Sequence, residues 1–423
     1  MRWAILAAML AAAGSANAEP ANTDAAKGAL QQVALAQNNA APAPAPELTT
    51  TSPPNAAVDR HYADQSAALL EADMDYLVRQ AHQEISSGDH TSLWVVLAFS
   101  DDFAAGRLPD ARATLAGSQG GIHGALSDLL EPFLIAAEGH VDQAVERVDS
   151  GEDNLPAPLP EVERALLFES AGRLNEAAAV YGNMIEHLDL TPPGDGEPST
   201  PQEFERALGA ARVTHAVYRA ALVQHRLGHV DEARRLYGIV AQFAPNSADV
   251  QANLARLNAG QQPLEPALTT KSAAGRWMLF LSEYLTQAES LTAMVAQQDP
   301  AQGLASSTGA TLLQLGLLLS PDASDWRLYA AQQLASAGGL DGAQRIIDLM
   351  PADSVFAPDA ELVRASIQLE RNNDDAAVQR AAHAAQMGAD RWSVVASAGD
   401  VYRRVGRAQE AVAAYDRALA MAH

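Results

Sequence analysis

The feature that most constrains this chain is a set of small residues that recurs mostly at intervals of 33 or 34 positions. Alanine or glycine stands at eight marker positions: Ala111, Ala144, Ala177, Ala233, Gly309, Ala343, Ala377 and Ala411. Five positions earlier, glycine occurs in six of the eight cases, while Leu304 and Asn372 stand in the other two: Gly106, Gly139, Gly172, Gly228, Gly338 and Gly406. Because only 28 of the 423 residues are glycine, this register predicts an array of one repeated unit.

Each recurring position has a physical reason in a helical hairpin. Glycine tolerates the left-handed backbone that ends one helix and begins a turn, and a small marker lets two helices approach closely. A bulky residue that fills the space between hairpins follows most markers after four positions: Leu115, Val148, Tyr181, Tyr237, Leu313, Ile347 and Tyr415. Proline stops the second helix at Pro156, Pro245 and Pro321. The low aromatic content of 5% and the abundance of alanine also favour helices.

This pattern resembles the tetratricopeptide-repeat family, whose period is 34 residues with an A-x3-F…P core. The match is best at 392–423, through Gly399, Tyr402, Gly406, Ala411, Tyr415 and Ala418. The resemblance implies an all-α fold, a helical-hairpin solenoid that forms a tetratricopeptide-like superhelix. The predicted units are 92–124, 125–157, 158–191, 214–247, 290–323, 324–357, 358–391 and 392–423.

Two longer steps interrupt the array. Between Ala177 and Ala233, the segment DLTPPGDGEPSTPQE predicts a loop followed by an extended first helix. Between Ala233 and Gly309, the chain has room for an irregular hairpin and for a linker rich in polar residues and proline. The expected parts of the folded body are an N-terminal array at 61–257, a linker at 258–272 and a C-terminal array at 273–423.

The first residues have the pattern of a secretory signal peptide. Arg2 is followed by an apolar stretch and by Ala16-Asn17-Ala18, a small-x-small cleavage site, so we expect a signal peptide at 1–18. Residues 19–60 include NNAAPAPAPELTTTSPPNAA, in which alanine and proline alternate, and lack apolar bulk, which predicts a disordered tether or, alternatively, a proline-rich ligand for a partner. These features predict an exported bacterial protein, periplasmic or secreted, without an integral membrane span.

Signs of catalytic or metal chemistry are weak in this sequence. There is no cysteine, no His-Glu-x-x-His, no P-loop and no Gly-x-Ser-x-Gly, so we expect no enzyme activity, cofactor or metal. His225 and His229 are four apart, but Gly228 between them lies at a predicted turn, which favours packed or exposed histidines over a metal site. The acidic pairs are interpreted as solvated helix ends: Asp73/Asp75, Asp101/Asp102 and Glu152/Asp153.

A concave groove is the expected binding surface, because the resemblance implies that the fifth and ninth positions of each first helix point inward. The candidate partner-binding residues are Val96, Leu129, Phe133, Val162, Leu166, Tyr218, Leu222 and His225. In the C-terminal units the equivalent positions are Leu328/Gln332, Leu362/Ser366 and Ala396/Asp400. The alternative is that these side chains only pack between neighbouring first helices.

The sequence therefore predicts a non-catalytic scaffold of the bacterial cell envelope that binds a protein or peptide in this groove. The formal net charge of −24 argues against a nucleic-acid partner, because phosphates are negative as well. Two alternatives stay open: an array that associates weakly with itself through the C-terminal hairpin, and a helical-repeat enzyme whose site carries no recognisable motif.

Overall fold

The computed structural model describes residues 65–90, 92–117, 122–151, 158–188, 190–191, 201–295 and 308–422. These residues are all-α, with nineteen helices and no strand among them. The predicted signal peptide at 1–18 and tether at 19–60 lie outside the described residues. None of the described helices is both long and apolar enough to cross a membrane.

The helices are numbered α1 to α19 in chain order. The first ten are α1 Gln65–Leu70, α2 Met74–Ser87, α3 Ser92–Ala104, α4 Leu108–Gly117, α5 Ile122–Ala137, α6 Val141–Gly151, α7 Leu159–Ser170, α8 Leu174–Glu186, α9 Pro201–Arg226 and α10 Val230–Phe243. The others are α11 Ala248–Asn258, α12 Thr270–Val295, α13 Thr308–Leu319, α14 Ser324–Ser336, α15 Leu340–Asp348, α16 Ala357–Glu370, α17 Asp374–Met387, α18 Trp392–Arg404 and α19 Ala408–Ala422.

The predicted repeat corresponds, among the described residues, to eight hairpins of two packed helices each. All six glycines that precede a marker have a positive φ, between 72° and 93°, and Asn372 has a φ of 56°. The marker alanines are 0 to 3% exposed, because each lies where the two helices of a hairpin touch. Gly88 and Gly260 end two further helices in the same left-handed conformation. The helical-hairpin solenoid is therefore confirmed.

One hairpin is placed differently from its predicted unit. The sequence pattern sets its beginning at residue 290, yet its first helix, α12, begins at Thr270 and is followed by α13. The predicted linker at 258–272 therefore overlaps the first turn of α12. The extended first helix expected after Ala177 is confirmed as α9, which begins at Pro201 and is 26 residues long.

The α12/α13 hairpin lies inside the N-terminal part of the solenoid. α12 packs against the first helices α5, α7 and α9, while α13 packs against α3. The helices of both sides share one hydrophobic core, in which Trp277 of α12 and Leu315 of α13 are completely buried. The helices at 92–243 therefore wrap around a hairpin that belongs to a later part of the chain.

The beginning of the described chain is fixed to its second half as well. The Gln314 side chain on α13 donates a hydrogen bond to the Leu69 carbonyl oxygen, at 2.7 Å. Arg345 on α15 forms an ion pair with Glu71, at 2.7 Å. Gly339 and Gly342 lie so close to Leu70 that a side chain at either position would collide with it. Consequently the residues at the end of α1 contact both α13 and α15.

Candidate partner-binding grooves

The N-terminal groove is the surface formed by the first helices α3, α5, α7 and α9. All eight candidate residues on these helices are buried, with exposed fractions of 0 to 6%. They are Val96, Leu129, Phe133, Val162, Leu166, Tyr218, Leu222 and His225. In this structure they belong to the core, which agrees with the packing alternative rather than with an open surface.

The side chains of α12 provide the reason for this burial. Phe280 of α12 lies beside Val162 and Leu166 of α7 and beside Tyr218 of α9. Trp277 stacks near Phe280, with ring centroids 6.4 Å apart, and both rings are buried. A helix of the same chain thus lies against the surface where the resemblance places a partner-binding groove.

The backbones of α12 and α13 lie close together where these two helices cross. A Cβ atom on Gly275 would lie 2.7 Å from the Ser320 backbone nitrogen and 2.8 Å from the Gly316 carbonyl oxygen. The Ser282 hydroxyl donates a hydrogen bond to the Gly309 carbonyl oxygen, at 2.7 Å. Small residues therefore bring the backbones of α12 and α13 into contact, and this allows two helices to fit within the solenoid.

A network of buried charges joins this hairpin to the groove; we call it the charge cluster, formed by Glu169, Arg219, Arg226, Glu265 and Arg276. Glu169 of α7 is paired with both arginines of α9, and its side chain is only 1% exposed. Glu265, in the connection that precedes α12, lies 2.7 Å from Arg219 and 3.0 Å from Arg276. Coulombic attraction to these arginines lowers the pKa of Glu265 despite the opposing effect of burial.

The charge cluster continues into the C-terminal half of the chain. Arg276 also lies 3.3 Å from Asp325 at the beginning of α14. Next to it, the imidazole of His215 stacks on Trp326, with centroids 4.6 Å apart, and lies 3.4 Å from Glu283. Ion pairs and ring stacking thus connect α7, α9, α12 and α14 near Arg276.

A cleft remains at this point between the hairpin and the groove. Its volume is about 30 Å³, which is room for about one water molecule. Its lining is both apolar and charged: Val162, Leu166, Tyr218, Arg219, Arg276, Phe280, Asp325 and Trp326. The α12 helix therefore leaves little free space against the N-terminal groove.

The equivalent positions of the C-terminal half are more exposed by contrast. The fifth positions of its first helices α14, α16 and α18 are half-buried, and the ninth positions are exposed. We call this surface the C-terminal face; it is formed by Leu328, Gln332, Leu362, Ser366, Ala396 and Asp400. Equivalent positions of one repeat are thus covered in the N-terminal half and accessible in the C-terminal half.

His225 has a structural role at the end of α9. Its Nε2 lies 2.8 Å from the Gln261 carbonyl oxygen, which only accepts, so Nε2 carries the proton. Its Nδ1 then accepts from the Tyr237 hydroxyl, at 3.2 Å. Burial lowers the pKa of His225, which keeps this neutral form. His229 directly precedes α10, and its Nδ1 lies 2.7 Å from the Gln224 side-chain oxygen. His225 and His229 therefore have different partners.

The acidic pairs are not all solvated helix ends, as the sequence predicts, because Asp102 is buried. Asp73 caps α2 by accepting from the Tyr76 backbone N–H, at 3.1 Å. Asp102, however, is buried rather than solvated, and Arg107 bonds it at 2.8 Å while also contacting Asp101. Glu152 and Asp153 lie outside the described residues.

His82 stands beside this acidic pair, with Nε2 at 3.0 Å from Asp101. A ligand atom from each of His82, Asp101 and Asp102 lies within 4.8 Å of the others, which is close enough to surround a cation. The guanidinium of Arg107, in the turn after α3, contacts both carboxylates and offsets one of their two negative charges, so these side chains form an ion-pair network that links α2 to the end of α3.

The sequence pattern does not predict that α12 lies against the N-terminal groove, although the composition of α12 shows that this helix is buried. The segment GRWMLFLSEYL of α12 is apolar on nearly every side, which is the pattern of a helix surrounded by protein. The helices that surround it lie 44 or more positions earlier in the chain. A repeat period describes only contacts between neighbouring units, and it gives no position for such a helix.

Comparison with known proteins adds no functional assignment. No protein-family model and no characterised protein sequence matches this chain. Among solved structures, a human IFIT1 dimer with PPP-AAAA is 14% identical and covers 85% of this chain and 100% of its own, with a TM-score of 0.20. Yeast Tom70 is 13% identical and covers 84% of this chain and 87% of its own, also with a TM-score of 0.20. The assignment of a solenoid fold therefore rests on the helical hairpins of this chain.

Proposed function

We propose that this protein is a non-catalytic scaffold of the bacterial cell envelope, and that it binds a segment of another protein on its C-terminal face. The observation that carries the proposal is the difference in exposure between equivalent repeat positions. Leu328, Leu362 and Ala396 offer a shallow apolar floor, while Gln332, Ser366 and Asp400 form an exposed polar rim. A floor of this kind suits the apolar side of a bound peptide, and the rim sets its register.

The charge of the chain indicates which partners fit this face. Asp400 belongs to the rim, and the whole chain carries a formal charge of −24. Like charges repel a strongly acidic partner and slow its association. The bound segment is therefore neutral or basic, and a nucleic acid is a poor partner.

The non-catalytic part of the proposal is supported by what the titratable groups contact. The arginines and carboxylates of the charge cluster bind one another, and Arg107 is shared between Asp101 and Asp102. His225 is held between Tyr237 and Gln261. These side chains hold neighbouring helices together, which is the structural role that a scaffold requires of them.

The proposal is tested by capture from an envelope extract with immobilised protein comprising residues 19–423. In one variant, Gln332→Arg and Ser366→Arg alter the C-terminal face; in the matched control, Gln379→Arg and Gln386→Arg alter exposed positions on α17. A partner of the face should bind the first variant about tenfold more weakly and the control unchanged, as measured by quantitative mass spectrometry. Equal loss in both variants, or in neither, would contradict the proposal.

Self-association is a second candidate, favoured by exposed apolar side chains on α19. Val412 is 57% exposed and Leu419 is 60% exposed. Sedimentation equilibrium across a hundredfold range of concentration distinguishes this candidate, since Val412→Glu with Leu419→Glu should abolish any dimer. A mass that stays monomeric in the unmodified protein excludes it.

A further inference from the structure

The cleft between α12 and the N-terminal groove limits the size of any ligand it can hold. Its volume of about 30 Å³ is close to the share of one water molecule in the liquid. Tyr181 of α8, Arg219 of α9, Arg276 of α12 and Asp325 of α14 belong to its lining, together with apolar side chains of α7. The cleft therefore excludes peptide side chains and organic ligands, and it admits a single water molecule or a monatomic ion.

Three of these lining residues each have a buried polar atom without a partner. The Tyr181 hydroxyl, the Arg219 Nε and the Arg276 Nε make no hydrogen bond among the described residues. The two guanidinium groups contact the same carboxylate oxygen of Glu265, at 2.7 Å and 3.0 Å, so they lie close together. Because an unpaired buried donor costs free energy, three of them around one small cleft favour a ligand that accepts hydrogen bonds.

Tyr181 belongs to the same electrostatic environment as the two arginines. Burial raises the pKa of its hydroxyl, the charge of Glu169 raises the pKa further, and Arg219 opposes the rise. Glu169 is paired with Arg219 and Arg226 through one carboxylate oxygen, and its other oxygen is buried without a partner. Hydrogen-bond donors and carboxylate acceptors therefore occur together around the cleft.

The charges around the cleft determine which small ligand fits. Three arginines face four carboxylates, which gives formal charges of +3 and −4 and a sum of −1: Arg219, Arg226 and Arg276 with Glu169, Glu265, Asp322 and Asp325. A halide would add to this excess of negative charge, and a metal cation would lie against two guanidinium groups. Water is neutral, and it can accept from an arginine N–H while it donates to a carboxylate.

We propose that this cleft is a binding site for one structural water molecule, which accepts hydrogen bonds from the Nε–H groups of Arg219 and Arg276 and bonds the hydroxyl of Tyr181. Buried waters typically make about three such bonds. This water connects α8, α9 and α12, so the α12/α13 hairpin rests on a hydrated contact beside its apolar one. The inference does not depend on the binding proposed for the C-terminal face.

The first test is a crystal structure of residues 19–423 at a resolution that shows ordered water. One peak of density should lie within about 3.2 Å of at least two of the three unpartnered atoms. Tyr181→Phe keeps the ring and removes one partner, so the peak should lose most of its density. Tyr237→Phe is the matched control: it alters the equivalent position of the next hairpin, whose hydroxyl already bonds His225, and should leave the peak unchanged.

Two outcomes of the crystallographic test would overturn the proposal. A cleft without density in the unmodified protein would show that the site is dry. An anomalous peak in the cleft after transfer of the crystals to sodium bromide would show that it takes an anion instead. We expect the water peak to remain in bromide and to show no anomalous signal.

The second test is made in solution and distinguishes a hydrated cleft from a dry one. Val162 lines the cleft and is buried, so Val162→Ile adds a methylene group that competes with the water. Displacement of the water leaves the arginine donors unpaired, and the midpoint of urea denaturation should therefore fall. A dry cleft would instead be filled by the larger side chain. An unchanged or raised midpoint would overturn the proposal.

Discussion

Gly275 of α12 and Gly316 of α13 lie back to back where the two helices of the occupying hairpin cross. A Cβ on Gly275 would stand 2.8 Å from the Gly316 carbonyl oxygen, and a Cβ on Gly316 would stand 2.9 Å from the Gly275 carbonyl oxygen. Backbone atoms cannot move aside as a flexible side chain can. The fit of the hairpin inside the N-terminal groove therefore depends on hydrogen atoms at both positions.

Gly275→Ala should lower the free energy of unfolding by about 1 to 3 kcal/mol, because the added methyl group overpacks this crossing. Gly182→Ala on α8 is the matched control: it also lies within a helix, but a Cβ there meets nothing within 4 Å. The control should be neutral or stabilising by about 0.5 to 1 kcal/mol, since alanine favours helix over glycine. Urea denaturation followed by circular dichroism gives both values, and an equal response of the two variants would contradict the crossing geometry.

The fold could be predicted from the sequence to the extent that it depends on local contacts. A left-handed turn at Gly172 or Asn372 and a small residue at Ala177 act within one hairpin, so a fixed period reveals them. The occupancy of the groove is a different matter. Whether Val162 and Tyr218 face a partner or the core depends on where α12 lies, and α12 follows them by 108 and 52 positions. Contacts between residues so far apart in the chain do not recur at a fixed interval, so a repeat pattern in the sequence does not reveal them.

Glu163 on α7 provides a prediction about pH. Burial raises the pKa of this carboxyl group well above 4.5, and attraction to Arg147 opposes the rise only in part. The unfolded chain binds fewer protons than the folded chain above about pH 4.5, so this residue lowers stability as pH rises through the folded pKa. Glu163→Gln should therefore stabilise the protein by about 1 to 3 kcal/mol at pH 8, with a smaller gain at pH 5.

Thermal unfolding of both proteins between pH 5 and pH 8 measures this difference, and the comparison cancels the titration of other groups. A gain that stays constant with pH would mean that Glu163 is not neutral in the folded state. Glu176→Gln serves as the control, since this exposed carboxylate bonds Arg173 and its pKa is lowered rather than raised. Because this carboxylate is ionised in both states above about pH 5, the effect of Glu176→Gln should change little between pH 5 and pH 8.

His225 should make the protein less stable as the pH falls below about 6.5. Burial lowers its pKa below the ordinary value of 6.5, so the unfolded chain binds the proton first and the folded state loses stability in that range. His225→Gln should cost about 1 to 2 kcal/mol at pH 7.5, where the bonds to Tyr237 and Gln261 are intact. Denaturation at pH 5.5 should show a smaller cost; a cost that does not change with pH would contradict the neutral tautomer.

Export should remove the first residues of the chain. Ala16 and Ala18 provide the small side chains that signal peptidase requires, so we expect the mature protein to begin at Glu19. Intact-mass measurement on protein from a bacterial envelope fraction determines this end. Ala18→Arg should block cleavage at this bond, whereas Ala12→Val within the apolar stretch should not. Retention of residues 1–18 in the unmodified protein would make the segment an anchor.

The ion pair between Arg276 and Glu265 should behave as a buried pair on which the position of α12 depends. Arg276→Met leaves Glu265 with one arginine fewer, and Glu265→Gln leaves Arg276 facing Arg219, so each should destabilise by about 3 to 5 kcal/mol. The double variant should be less destabilised than the sum of the two, with a coupling of about 0.5 to 3 kcal/mol. The matched control is Arg235→Met with Glu232→Gln, an exposed pair at 2.6 Å on α10; its coupling should be at most about 1 kcal/mol. Urea denaturation of all seven proteins completes both cycles, which share the unmodified protein, and equal couplings would show that the charge cluster holds α12 no more firmly than a solvated pair would.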